Sequence, residues 1–200
     1  VTLESADELP KGNEPIDELI GKKFIMYIGR PTPHKNLRRL IDAFALLQKK
    51  YPDLTLALAG KKDSNYARHE TYVNEHGIKN VVFTGFISDE QLRWMYENTA
   101  VYCFPSLSEG FGLPGLEAML HGAPVASSTA TCLPETHGDA AHYFDPFSVE
   151  DIAKSIDDIL SDDKLRNELV KKGKKHVKTF SWQRMAEQTL AVYEKYGRKS

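Results

Sequence analysis

Residues 101–117 read V-Y-C-F-P-S-L-S-E-G-F-G-L-P-G-L-E. A short apolar run ends at a proline, a loop with two glycines follows, and a second proline opens the next segment. That order spells a buried strand, a tight loop and a helix start. Pro114 suits the first helical position, where no amide partner is needed. Gly110 and Gly112 let the backbone come close to a ligand where a Cβ would block it. Bare amides at a helix N-terminus attract phosphate and other electron-rich oxygens. Glu109 lies just before the loop, and Glu117 lies about one turn inside the helix. Two carboxylates around a row of free amides suit a phosphorylated, hydroxyl-rich ligand such as a nucleotide sugar.

Outward from this segment, short apolar runs alternate with amphipathic ones. The runs cover 24–28, 54–59, 81–84, 101–104 and 124–127, with a weaker one at 141–144. They are uninterrupted and bounded by Gly, Pro or Ser, as strands covered on both faces are. Helical spacing appears at 36–50, where Leu37, Leu40, Ile41, Phe44 and Leu47 share one face. Further helices are expected at 66–76, 89–98, 114–121, 149–160, 163–178 and 182–196, with Ser88 capping the one at 89–98. Strand alternating with helix predicts an α/β domain, a Rossmann-like doubly wound parallel sheet. Residues 1–22, punctuated by Pro10, Gly12 and Pro15, read as a linker rather than a packed element, and 23–200 as the domain.

The composition narrows the function. The chain has 200 residues, 41% hydrophobic and 27% charged, with a formal net charge of -2. One globular domain with a substantial core fits those numbers. Near-neutral charge gives no electrostatic case for nucleic acid. Cys103 and Cys132 make neither a disulfide framework nor a metal pair, and Cys103 reads as a small core residue in a reducing, cytoplasmic setting. His34, His121, His137 and His142 lack zinc-ligand spacing, so no metal is expected. No apolar run is long enough to span a bilayer. The basic stretch 171–178 is read as a solvated helix face, leaving membrane contact at most peripheral.

In doubly wound sheets, ligands bind beyond the carboxyl ends of the strands. Three loops leave strands in that sense: 29–35, 85–88 and 106–113. The first holds Gly29, Arg30 and Lys35, a bidentate cation and a point charge that together neutralise a diphosphate without a metal. The second brings Phe86 and Ile87 after Thr84-Gly85, where the backbone can meet a base edge; a plain strand-to-helix turn fits the pattern equally well. Gly60, after the second strand, carries the same two readings.

The runs G-R-P-T-P-H-K-N-L, V-V-F-T-G-F-I-S-D-E-Q-L, P-S-L-S-E-G-F-G-L-P-G-L-E-A-M, G-A-P-V-A-S-S, L-P-E and G-D-A-A-H-Y-F-D-P occur in that order between Phe24 and Tyr196. Together they resemble the C-terminal, donor-binding half of a retaining glycosyltransferase of family 4, a GT-B enzyme. The wording around 56–63 and 106–119 is most similar to bacterial mannosyltransferases of polysaccharide assembly. The resemblance implies that Arg30 and Lys35 hold the donor diphosphate and take part in catalysis. It implies that Glu109 also takes part in catalysis, binding sugar hydroxyls beside the backbone of Gly110, Phe111 and Gly112. The Leu113 amide would meet phosphate, Glu117 the ribose hydroxyls, and Phe86 and Ile87 the base. The implied donor is a nucleotide diphosphate sugar, GDP-mannose favoured over a UDP-sugar, used without metal or other cofactor. The implied acceptor is a glycan or lipid-linked hydroxyl, and front-face substitution and double displacement both stay open.

The family also implies an N-terminal domain that this sequence does not contain. Starting at Val1 without a methionine, the chain is expected to be a piece of a longer protein, inactive alone. Two other readings remain on these residues: a GT-B epimerase or glucan synthase, and a non-catalytic module that binds nucleotide sugar.

Overall fold

The computed structural model describes residues 4–12 and 14–197; residues 1–3 and 13 of the expected linker and 198–200 of the expected domain lie outside the described residues. In chain order the elements are β1 (Phe24–Ile28), α1 (Leu37–Leu47), β2 (Thr55–Ala59), α2 (Ser64–Glu75), β3 (Val81–Gly85), α3 (Asp89–Asn98) and β4 (Val101–Phe104). Then come α4 (Leu113–Leu120), β5 (Val125–Ser128), α5 (Leu133–His137), β6 (Ala141–Phe144), α6 (Val149–Ser161), α7 (Asp163–His176) and α8 (Trp182–Gly197). The strands form one sheet in the order β3-β2-β1-β4-β5-β6, and every neighbouring pair runs parallel. This is the expected Rossmann-like doubly wound α/β sheet. The order reverses direction between β1 and β4, which makes that gap the topological switch point.

The strand residues alternate between two cores. Ile25, Tyr27, Leu56, Leu58 and Cys103 pack on one face with Leu40, Ile41 and Phe44 of α1 and Ile152 and Ile156 of α6. Phe24, Met26, Ala57, Tyr102 and Phe104 pack on the other with Met95 and Tyr96 of α3 and Leu116 and Met119 of α4. Both faces are apolar because parallel crossovers put a helix on each. Cys103 is buried in the first of these cores, and burial pushes its thiol well above its usual range.

Within the described residues of 1–22, the reading as an unpacked linker is corrected. Ile16 and Leu19 are buried in the second core, Leu19 from a 3-10 turn at Asp17–Leu19, and Ala6 and Leu9 pack against the same core. The prolines and glycine that suggested a linker only punctuate a segment whose few apolar side chains still find cover. The expected cap holds: Ser88 Oγ accepts from Gln91 N while Gln91 Oε1 accepts from Ser88 N, a reciprocal pair at the start of α3. α5 and a 3-10 turn at Gly138–Ala140 were not anticipated from the sequence. α5 is only five residues long, too short for a periodic pattern to declare itself. No helix among the described residues is long and apolar enough to cross a membrane.

Candidate functional site

The loops that leave β1, β2, β3 and β4 gather at one end of the sheet. At the end of β1 the chain turns at Gly29 and runs through a 3-10 turn at Pro33–Lys35. This 29–35 loop sends its two cations, Arg30 and Lys35, to different places. Lys35 crosses the switch point, and its Nζ donates to Glu109 Oε1 at 2.6 Å, with 21% and 12% of the two side chains exposed. Arg30 turns the other way, to Asp63 at 3.5 Å, with 77% of its side chain in solvent. Asp63 caps α2 by accepting from the backbone of Asn65 and Tyr66. The bond from Tyr66, followed by those from Asn65 and Arg30, holds its carboxyl below the usual range against partial desolvation.

Gly29 and Gly60, at the ends of adjacent strands, both have positive φ, 147° and 151°. A Cβ on Gly60 would overlap the Gly29 carbonyl, and one on Gly29 would lie 2.6 Å from the Tyr27 hydroxyl. Glycine at these two positions allows the loops to pack against one another. They form the floor of a cleft of about 560 Å³ walled also by Arg30, Asp63, Phe86 and Ile87. Phe86 is 84% exposed at its rim, while Ile87 is buried beneath. Gly29, Arg30, Gly60, Phe86 and Ile87 therefore come together; Lys35, Glu109 and the 110–113 loop are not part of its walls.

The 106–113 loop is held from below. Asn36, in the left-handed conformation at φ 60°, donates from Nδ2 to Pro105 O at 2.9 Å and Pro146 O at 2.8 Å. Leu107 N donates to His34 O at 2.7 Å. Glu109 N donates to Thr131 Oγ1 at 3.0 Å, and Thr131 Oγ1 donates back to Glu109 O at 3.2 Å. Phe111 turns its ring inward onto Phe180, centroids 5.9 Å apart, so its backbone is what the loop presents. Space around Gly110 is open. Gly112, at φ 102°, caps α4, and among the described residues nothing accepts from the amides of Gly110, Phe111, Gly112 or Leu113. Glu117 follows one turn on, half-buried. Desolvation raises its carboxyl above the usual range, a bond from the Tyr96 hydroxyl at 3.4 Å opposes that, and the charges of Asp89 and Asp7 add to it. Asp89 itself lines the cleft; Glu117 is not among the residues that wall it.

Four amides without partners, a lysine and a carboxylate at a switch point can bind an anionic ligand that also carries hydroxyls. A family model for group 1 glycosyl transferases matches residues 13–176. The chain belongs to the group 1 glycosyl transferases. This glycosyl transferase domain is 35% identical over 182 residues to O-antigen chain mannosyltransferase B of Escherichia coli, covering 88% of this chain and 47% of that protein. It is 34% identical over 187 residues to an MMP alpha-(1->4)-mannosyltransferase of Mycolicibacterium hassiacum, covering 91% of this chain and 45% of that one. Among solved structures, the C-terminal domain of the group 1 glycosyl transferase LpcC from Francisella tularensis superposes with a TM-score of 0.71 at 32% identity, covering 80% of this chain and 86% of that one. The chain thus spans about half the length of these curated relatives. Its fold is that of a GT-B domain.

Asn36, Thr131 and His137 support the site, and none was assigned to it from the sequence. Asn36 had a signal: asparagine is among the residues that tolerate a left-handed turn, here just before a helix. Thr131 and His137 had none, since only the pairing of β4 with β5 brings them under the loop.

Proposed function

We propose that this domain is the donor-binding half of a retaining hexosyltransferase that moves mannose from a nucleotide diphosphate sugar, GDP-mannose favoured over a UDP-sugar, to a glycan or lipid-linked hydroxyl. The observation that carries the reading is the Lys35–Glu109 pair at the β1/β4 switch point, beside the four unpartnered amides of residues 110–113. Lys35 and the amides stabilise charge growing on the leaving diphosphate. Arg30, exposed on its hinge at Gly29, swings from Asp63 to the same phosphates without disturbing a buried contact. Glu109 orients the sugar hydroxyls, Glu117 takes the ribose, and the cleft between Gly60 and Phe86 takes the base. No metal is needed, because two cations and a helix start supply the positive charge. The mannosyltransferase relatives support the choice of sugar. The acceptor belongs to a partner Rossmann-like domain, which is why the half alone should bind donor weakly and turn over nothing.

Calorimetric titration with GDP, UDP and ADP in the absence of metal tests the reading, beside the double variant Arg30→Ala/Lys35→Ala. One nucleotide binding, and the variant losing it, is the expected result. Binding that survives the double substitution would sink the diphosphate assignment. Absence of binding to both this domain and the full-length protein would sink the donor assignment altogether.

A further inference from the structure

His137 ends α5 and is fully buried beneath the glycine loop. Its Nε2 lies 3.3 Å from Gly112 O and its Nδ1 lies 3.1 Å from Ser127 Oγ. A carbonyl only accepts, so the Gly112 bond assigns the ring proton to Nε2, and Nδ1 at 3.1 Å is then the nearer acceptor for the Ser127 hydroxyl, whose other acceptor, Ser128 O, lies at 3.3 Å. Burial, the largest influence on this ring, holds the imidazole down at about 4, so the neutral form persists at neutral pH.

Gly112 O and the Leu113 N–H are the two ends of a single peptide unit. In a trans peptide they point in opposite directions. The imidazole therefore grips the underside of the peptide whose upper side is an unpartnered amide at the start of α4. Hydrogen bonds in series polarise one another, so a donor on the carbonyl makes the attached N–H a stronger donor. Gly115 N also donates to Gly112 O, at 3.0 Å, and completes the grip on that oxygen. The glycines around it are explained by the same ring. A Cβ on Gly115 would overlap the imidazole, and one on Gly112 would lie 3.2 Å from Nε2 and 2.7 Å from Leu133 Cδ2.

We propose that His137 is a positioning residue for the donor diphosphate, acting through the relay Ser127 Oγ–H, His137 Nδ1/Nε2–H, Gly112 C=O and Leu113 N–H. This rests on the reading above that the Leu113 amide meets phosphate. The ring never touches the ligand. It fixes the plane of the Gly112–Leu113 peptide and strengthens its N–H toward a diphosphate oxygen. His137 thereby deepens the diphosphate site without adding charge to it.

The test separates the two ring nitrogens. Glutamine places an amide N–H near the position of Nε2, whereas asparagine reaches only the position of Nδ1. His137→Asn, His137→Gln and Ser127→Ala are compared with wild type by 1H–15N-monitored titration with GDP, UDP and ADP and with guanosine, uridine and adenosine. His137→Asn should weaken the preferred diphosphate about five- to tenfold. It should leave the matching nucleoside within about twofold and shift the free Leu113 amide upfield. His137→Gln should restore most of the loss, and Ser127→Ala, which keeps ring and packing, should cost about two- to threefold.

Equal losses for nucleoside and diphosphate in the folded variants would mean a purely structural histidine and overturn the proposal. An unmoved Leu113 amide with unchanged diphosphate affinity in Ser127→Ala and His137→Asn would do the same. If the wild type itself bound diphosphate no better than nucleoside, the donor reading would fail first.

Discussion

At the β4 end of the site Lys35 Nζ lies 2.6 Å from Glu109 with both side chains mostly buried, while at the β2 end Arg30 reaches Asp63 at 3.5 Å with 77% of its side chain in solvent. The first end is braced from below by Asn36, Thr131 and His137. The second is an open cleft floored by two glycines and rimmed by an exposed phenylalanine. A surface ion pair costs little to break, so Arg30 is available to a ligand, whereas a buried pair and a braced loop are in place before one arrives. In the proposed reaction, charge changes at the diphosphate and the sugar. Pre-set dipoles at that end have nothing left to reorganise as the bond breaks. The base only has to be held, and an adaptable rim does that.

Lys35→Ala strikes the fixed end hardest. In the complete transferase its turnover should fall by about 100- to 1000-fold, since an aimed charge is lost and Glu109 is left without its partner. A rate assay with donor and acceptor measures this, and near-normal turnover would erase the contrast between the two ends.

The brace should also show in the pH dependence of stability. His137 is held at about 4 when folded, against about 6.5 for a free imidazole. The unfolded chain gains a proton as pH falls through about 6.5, while the folded chain resists until about 4. Its contribution is thus complete above that window and is lost on acidification, by about 3 kcal/mol across it. Urea unfolding at pH 7 and pH 5 should show a steeper decline for wild type than for His137→Gln. Parallel declines would mean the ring titrates freely.

Gly115→Ala places a methyl in the space the imidazole fills. It should cost about 1–3 kcal/mol, read as a denaturation midpoint lowered by several degrees. At the open end the effects shrink. Phe86→Ala should leave the midpoint unchanged, because the ring is 84% exposed, and should weaken nucleoside binding only several-fold. Arg30→Ala should likewise spare stability and show itself as a weaker salt dependence of diphosphate binding. A stability loss from either would mean that this end is braced as well.

The sheet was legible because burial on both faces writes itself as short apolar runs; β1, β4 and β6 begin and end at the residues expected. Glu109, Glu117 and the glycine loop were legible because glycine, proline and carboxylate each leave a local mark. The braces were not. His137 sits in a five-residue helix with no periodicity, and its meaning comes from Gly112, twenty-five residues away. The segment 14–22 misled for a related reason: Pro15 announces a break, whereas the burial of Leu19 depends on a core assembled from later elements.

Sequence alone determined the strand–helix alternation and which residue types each loop carries, because both follow from neighbours along the chain. Tertiary structure decided that Lys35 faces Glu109 while Arg30, five residues earlier, faces Asp63. It also decided that a buried histidine supports the amide of Leu113. Those pairings cross the sheet order β2-β1-β4-β5, and only packing parallel strands on a common core brings such distant residues within hydrogen-bond reach.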